Sequence, residues 1–322
     1  MISLSASDVR LLNELQYNFP LSRTPYQDIS IRLGIQVNQL LSSLRKFKSL
    51  GVIKRIGFYL NYRAKNQQAA LIALSTKGNY SEISSYLARD AYTSHAYIRD
   101  HPLFDLWIVS KRKSRDELIG FIKHLANEYH VKDWVILFGV KTWKLSVKYD
   151  LVNGISRSNG KYVNPPDNIP TLQEHELVLA EKLKSLPLEV QPYSVVSRLF
   201  GLSEETVYNR MLALTRKGVL GDPGASLDGR KLGFVENGML TMTPYSDYSD
   251  LCECLARNEY TTHVVQREAY PPGSFEMGCY AMIHAVNRGK LEFLRDRILS
   301  QCHPHKWLLI RSIEDLKPGT IR

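Results

Sequence analysis

The chain has 322 residues, 44% of them hydrophobic and 23% charged, with a formal net charge of +10. That length predicts about two or three domains with full cores, and the composition excludes a disordered or fibrous chain. No stretch approaches the roughly 20 apolar residues of a membrane span, and Met1-Ile2-Ser3-Leu4-Ser5 has no basic segment leading an apolar one, so no signal peptide is expected.

In chain order, Ser5 or Ser7 caps a first helix running to about Tyr17, with Val9, Leu11, Leu12 and Leu15 as its apolar stripe. Pro25 opens a second helix that ends near Gly34. A third runs through Leu40, Leu41, Leu44 and Phe47 to Gly51, a residue suited to the position just past a helix end. Val52–Leu60 reads as a β-hairpin wing. Three helices and a wing make a winged helix-turn-helix. Strands are predicted next near 69–75, 92–99, 104–110 and 132–139, alternating with helices near 80–89 and 115–129. This βαββαβ order is ferredoxin-like, and its helix-free face is expected to meet a partner sheet supplied by the same chain. A linker is expected near 151–170, where Asn153-Gly154-Ile155-Ser156-Arg157-Ser158-Asn159-Gly160 and Pro165-Pro166-Asp167 carry loop residues.

The order then repeats. Helices are predicted near 172–185, 192–200 and 203–217, a wing near 219–234, strands near 238–243, 260–267, 278–285 and 306–311, and helices near 247–257 and 288–300. Phe19-Pro20-Leu21 recurs as Leu186-Pro187-Leu188, Pro25-Tyr26 as Pro192-Tyr193, Leu33-Gly34 as Phe200-Gly201 and Gly51-Val52 as Gly218-Val219, all at an offset of 167. His95 and Arg99 return as His263 and Arg267 at an offset of 168. One two-part unit is therefore duplicated. The expected division is winged helix-turn-helix 1–64, ferredoxin-like domain 65–150, linker 151–170, winged helix-turn-helix 171–235 and ferredoxin-like domain 236–322. Cys252, Cys254, Cys279 and Cys302 read as reduced thiols of a cytoplasmic protein, the first two pointing apart on a helix.

Residues 1–160 hold 23 Lys and Arg against 12 Asp and Glu, a balance of +11, while the remainder balances at −1. A basic half favours a polyanionic partner, either nucleic acid or a small molecule with many carboxylates. Alternation along a strand puts His95, Tyr97 and Arg99 on one face, and His263 and Arg267 on another. A proton donor beside an anion clamp suits chemistry on a carboxylate.

Several motifs carry a resemblance. Gln16-Tyr17-Asn18-Phe19-Pro20-Leu21 with Pro25-Tyr26, Gly51-Val52-Ile53-Lys54-Arg55-Ile56-Gly57, and Thr93-Ser94-His95-Ala96-Tyr97-Ile98-Arg99-Asp100-His101 followed by Asp105-Leu106-Trp107 mark the first half. Arg230-Lys231-Leu232-Gly233-Phe234 and Tyr280-Ala281-Met282-Ile283-His284 mark the second. Together they resemble the siroheme decarboxylases, an enzymatic branch of the Lrp/AsnC architecture, with the two subunit types fused in one chain. The resemblance implies an α+β tandem of winged helix-turn-helix and AsnC-type ferredoxin-like (RAM) domains. It also implies a carboxy-lyase of haem biosynthesis that removes the C12 and C18 acetate carboxyls of siroheme as CO2, giving 12,18-didecarboxysiroheme. The chain departs from the family pattern at Ala96 and Val264 after each motif His, at Val265 in place of the motif Tyr, and at Gly273–Gly278 in place of an aromatic run. The second half is then either a weakened site or a structural wall.

On this reading His95, His263 and His284 supply protons, while Arg99, Arg267, Lys54 and Arg55 hold carboxylates. Tyr97 and Tyr280 stack on the ring or donate to it, and His101 or a strand histidine approaches the iron. No added cofactor and no separate metal site are implied, because iron enters with the substrate. The implied partners are the tetrapyrrole and the other half of the chain as an internal pseudo-dimer, with a homodimer of fused chains as a further option. The alternative is a DNA-binding regulator sensing a small molecule or haem, with Arg45, Lys46, Lys48, Lys54 and Arg55 on phosphates. The second unit opposes it, since its third helix opens with Glu204 and Glu205 and its wing segment Gly221-Asp222-Pro223-Gly224 lacks the basic pair. A pigment carrier without turnover is a third option.

Overall fold

A computed structural model describes residues 2–158 and 165–318. Asn159 and Gly160 of the expected linker lie outside the described residues. The first unit opens with α1 (Ala6–Tyr17), where the Ser5 hydroxyl accepts from the Asp8 N–H at 3.2 Å and the Asp8 carboxylate accepts from the Ser5 N–H at 2.9 Å. This reciprocal box satisfies two otherwise orphaned donors. Then come α2 (Pro25–Leu33), α3 (Val37–Ser49) and strand β1 (Ile53–Leu60). Pro25 stands at the first turn of α2, and Gly34 ends it in the left-handed region with φ 69°.

The first ferredoxin-like part is β2 (Gln68–Leu74), α4 (Ser81–Arg89), β3 (Thr93–Arg99), β4 (Leu106–Arg112), α5 (Arg115–Glu128) and β5 (Trp134–Leu145). Short strands β6 (Tyr149–Asp150) and β7 (Ile155–Ser156) follow within or beside the expected linker. The second unit has α6 (Glu174–Leu183), α7 (Pro192–Phe200), α8 (Glu204–Arg216) and β8 (Leu220–Leu227). It continues with β9 (Glu236–Thr243), α9 (Tyr248–Arg257), β10 (His263–Tyr270), β11 (Cys279–Ala285), α10 (Arg288–Cys302) and β12 (Lys306–Asp315).

The wing is not a hairpin. β1 runs straight and pairs antiparallel with β8, from Ile53 opposite Leu227 to Leu60 opposite Leu220. Most of β1 is buried, so it needs cover on both faces, and a lone hairpin offers none. The ribbon lets both helical units share one core, in which Leu12, Tyr26 and Leu44 join Leu179, Tyr193 and Met211. Each unit's first helix crosses onto the other unit's strand. Gly57 and Gly224, paired in the ribbon, mark the crossings: a Cβ on Gly57 would strike the Lys184 carbonyl oxygen at the end of α6, and one on Gly224 the Leu15 carbonyl oxygen of α1.

The two ferredoxin-like sheets do not stack face to face as expected. They join edge to edge, β5 with β10 and β12 with β3, in the order β10-β5-β2-β4-β3-β12-β9-β11. β11 then returns to β10, so eight antiparallel strands close into a barrel. Closure satisfies the backbone groups that stacked sheets leave bare at their edges. The long β5 makes it feasible, because Trp134–Phe138 pairs with β2 while Ile136–Leu145 pairs with β10. Outside, α4 and α5 cover Ile72, Ile108 and Ile136, and α9 and α10 cover Leu240, Ala281 and Ile283.

The cysteines are not free thiols. Cys252 bonds Cys279 and Cys254 bonds Cys302, with Cα separations of 5.9 and 5.7 Å. The two positions on α9 do point apart, but one faces β11 and the other the end of α10, and each meets a partner there. No helix among the described residues is long and apolar enough to cross a membrane.

Lys144 on β5 is fully buried beneath α9, donating to the Asn258 carbonyl at 2.6 Å and Thr261 Oγ1 at 3.2 Å. Burial pushes its pKa down to about 8 from the ordinary 10.5, with Glu259 pulling the other way. Between those values the unfolded chain holds a proton that the folded one has released, so stability rises with pH. Denaturant unfolding is expected to show a gain of up to roughly 3 kcal/mol on that account. Comparison between pH 8 and 9, where exposed tyrosines stay largely protonated, samples about 1 kcal/mol of that gain and checks it: Lys144→Met removes the rise.

Candidate active site

Inside the barrel, alternation sends every second residue inward. At one end these are apolar: Leu71, Ala73, Trp107, Val135, Leu137 and Ile310 pack into a plug. At the other end they are polar, and the β1–β8 ribbon lies across the opening. Between plug and ribbon is a cavity of about 360 Å³, within the usual range for small-molecule sites.

Sheet register makes the two halves correspond strand by strand. His95 stands opposite Val109, and His263 opposite Met282. Counting inward positions from these pairs matches Tyr97 with Val265, Arg99 with Arg267, Trp107 with Tyr280, and Lys111 with His284. Ala69 opposite Lys111 likewise matches Asn237 opposite His284. All of these line the one cavity. The two sheet surfaces expected to carry His95 and His263 are thus opposite walls of a single chamber.

Nine of the ten sequence-predicted site residues line it: His95, His263, His284, Tyr97, Arg99, Arg267, Tyr280, Lys54 and Arg55. Arg99 is 6% exposed, donates to the Ile310 carbonyl at 3.3 Å and lies over the Tyr97 ring at 5.1 Å. Arg267 donates to the Leu137 carbonyl at 3.1 Å and lies over Tyr280 at 5.6 Å. Burial pushes the Arg267 pKa down, opposed by the Tyr280 and Tyr62 phenols, and its Nε has no hydrogen-bond partner among the described residues. A guanidinium so placed gains from any anion that enters. Arg55, from the ribbon, donates to the Phe58 carbonyl at 2.8 Å, and burial lowers its pKa as well, against Asp222 and Tyr59. Burial pushes the Tyr280 phenol up, and it donates to the Met277 carbonyl at 2.9 Å. His284 meets the edge of the Tyr149 ring at 5.7 Å.

His101 does not join them. It follows β3 in the connection to β4, where its Nδ1 accepts from the Leu103 and Phe104 N–H groups at 3.1 and 3.0 Å. Its ring lies among Phe104, Trp107 and Phe275, behind the plug, and burial lowers its pKa. The strand alternation that carries Arg99 inward has ended by position 101.

No residue pattern pointed to the ceiling. Lys148, 4% exposed, donates to the Gln16 carbonyl and pairs with Asp222 at 2.9 Å. Burial raises the Asp222 pKa despite Lys148 and Arg55. Lys148 lies past the end of β5, beyond any strand periodicity. Lys111, by contrast, was legible: it sits four residues after Trp107 on one strand and so shares its face. Lys54, also on the cavity wall, pairs with Asp228 at 3.4 Å. The ribbon therefore spends on the cavity and on itself the basic wing that a DNA reader presents outward. On α3, Arg45 is tied to the second unit through the Leu188 carbonyl at 2.7 Å and Glu189 at 3.2 Å.

A family profile for the siroheme decarboxylase NirDL-like HTH domain matches residues 8–54. A profile for the AsnC-like ligand binding domain matches residues 66–144 and 231–317, together about half of the chain. The chain is 24% identical over 316 residues to a siroheme decarboxylase of Hydrogenobacter thermophilus, covering 97% of this chain and 93% of that one. It is 22% identical over 285 residues to the siroheme decarboxylase NirDL subunit of Paracoccus pantotrophus, covering 88% and 86%. Among solved structures, the crystal structure of the siroheme decarboxylase NirDL in co-complex with an iron-uroporphyrin III analogue shares the fold, with a TM-score of 0.64, 22% identity and coverage of 97% and 92%. The chain belongs to the AsnC-like ligand-binding family, and its likeness over nearly its whole length is to siroheme decarboxylases.

Proposed function

We propose that the protein is a siroheme decarboxylase, removing the C12 and C18 acetate carboxyls as CO2 to give 12,18-didecarboxysiroheme. The observation that carries this is one chamber in which three imidazoles face buried guanidinium groups from both halves. The relatives bearing that activity in their names span nearly the whole chain.

Arg99, Arg267, Arg55 and Lys148 hold substrate carboxylates, each adding a charge-assisted contact to the carbonyl contact it already makes. When the carboxyl carbon leaves as CO2, the bonding electron pair stays on the methylene carbon and spreads into the macrocycle. That carbon then takes a proton from a histidine, His95, His263 or His284, completing the methyl group. Tyr97 and Trp107 on one wall and Tyr280 and Tyr149 on the other offer aromatic surface to the ring. The iron enters and leaves as part of the pigment. The fused halves supply within one chain what two subunits supply elsewhere, which makes the chain its own pseudo-dimer.

Anaerobic incubation of the purified protein with siroheme, followed by product mass, tests this. Loss of two CO2 per pigment is expected. Unchanged siroheme with folded protein overturns it, and salt-sensitive binding to duplex DNA in its place would favour the regulator.

A further inference from the structure

We infer that Ser94 and Thr262 are positioning residues that fix which ring nitrogen of His95 and His263 delivers the proton; the inference rests on the decarboxylase reading above. The two hydroxyl residues are equivalent in the repeat, at an offset of 168, each directly before its histidine.

Ser94 Oγ lies 2.8 Å from His95 Nδ1 and 3.3 Å from the carbonyl oxygen of Val109, the residue opposite His95 across the strand pair. Thr262 Oγ1 lies 3.4 Å from His263 Nδ1 and 3.3 Å from the carbonyl oxygen of Met282, the residue opposite His263. Neighbours on a regular strand face opposite sides and cannot meet in this way. Here a register shift between Thr93 and His95 swings Ser94 round, and Thr262 stands just ahead of β10, its N–H bonded to the same Met282 carbonyl at 2.9 Å. Two different backbone solutions thus arrive at one arrangement.

A hydroxyl has one proton and two acceptor lone pairs, and a carbonyl oxygen only accepts. With its proton on the Val109 or Met282 carbonyl, each hydroxyl turns a lone pair to Nδ1, which must then carry the hydrogen. The proton given to the substrate carbon comes from Nε2 of the imidazolium. As the C–CO2 bond breaks, CO2 departs, the electron pair stays on the methylene carbon in conjugation with the macrocycle, and that carbon bonds the Nε2 proton. The neutral ring left behind is the Nδ1–H tautomer, already held by the hydroxyl, and solvent returns a proton to Nε2. No ring rotation is needed between turnovers.

The hydroxyl contact also favours the protonated ring. The charges around it, Lys54, Arg55, Lys111 and Lys148 with Arg99 and Arg267, are cationic, with Asp222 opposing them, so the ring needs that support. The first half holds its histidine more closely. In the second, Thr262 Oγ1 is also 3.3 Å from His284 Nε2 and is shared among three partners.

The test is steady-state decarboxylation of siroheme by full-length Ser94→Ala, Ser94→Thr and Thr262→Val. Ser94→Ala is expected to lower kcat about 10-fold or more, leave KM nearly unchanged and move the basic limb of the kcat–pH profile to lower pH. Ser94→Thr restores both. Thr262→Val, close in shape to the native side chain, gives a smaller loss of the same kind. A Ser94→Ala kcat and pH profile equal to wild type overturns the inference, as does a loss that is uniform in pH and not restored by threonine. Wild-type protein that leaves siroheme intact rejects the decarboxylase reading itself, so the two failures are distinguishable.

Discussion

Replacing His95 with alanine is expected to lower kcat for siroheme decarboxylation roughly 100-fold or more, the usual worth of a placed proton donor, with KM little changed. His95 sits on the chamber wall where Tyr97 and Arg99 share its face. Its ring lies 6.3 Å from that of Tyr97. On the proposed mechanism, removing the imidazole takes away the proton that traps the carbanion, so the pair can recapture CO2. The carboxylate clamps remain, and siroheme binding followed by its visible spectrum stays near wild type. The same change at His263 and His284 discriminates between the halves. If the second half is a wall, those variants keep most of their turnover. If it acts on one acetate, pigment short of a single CO2 accumulates. An active His95→Ala enzyme with an unchanged pH profile would remove His95 from the chemistry.

The second large effect concerns Arg267, where affinity and stability are expected to move in opposite directions. Arg267→Met should weaken siroheme binding by roughly 30-fold or more, since a buried charge-assisted clamp is worth about 2 kcal/mol or above. The unliganded protein should meanwhile hold or gain stability. A buried guanidinium supported by a carbonyl and a ring face carries a desolvation cost that methionine does not. Leu137, whose carbonyl it contacts, lies in the middle of the sheet between Leu71 and Ala269. Calorimetric binding together with thermal unfolding reads both quantities on one preparation. A variant that loses stability and affinity in parallel would mark Arg267 as a strut, not a clamp.

The chamber also explains why two dissimilar halves are kept in one chain. Tyr97 faces Val265 in the correspondence, Trp107 faces Tyr280, and Lys111 faces His284. A symmetric pair would present the same side chains twice, whereas the two acetates of the substrate sit in different surroundings. Fusion fixes the asymmetric combination, because each half's edge strands find the other half's at high effective concentration.

Much of this was legible in the primary structure because it depends on near neighbours. The Ser5 cap, Pro25, Gly34 and the apolar spacing of α3 place the helices through contacts within a few residues. Two-residue alternation puts His95, Tyr97 and Arg99 on one face whatever that face meets. The constant offset of about 167 residues revealed the duplication directly. What meets what was settled only in three dimensions. The closing of two sheets into a barrel, and of two wings into a ribbon, is done by backbone N–H and C=O groups that every residue carries, between segments more than 100 residues apart. No side-chain pattern encodes such a choice. The Lys148–Asp222 ceiling follows from it, since it depends on which distant surface the ribbon brings alongside. The cysteine pairs were decided by packing within the second half, where α9 lies against β11 and the end of α10.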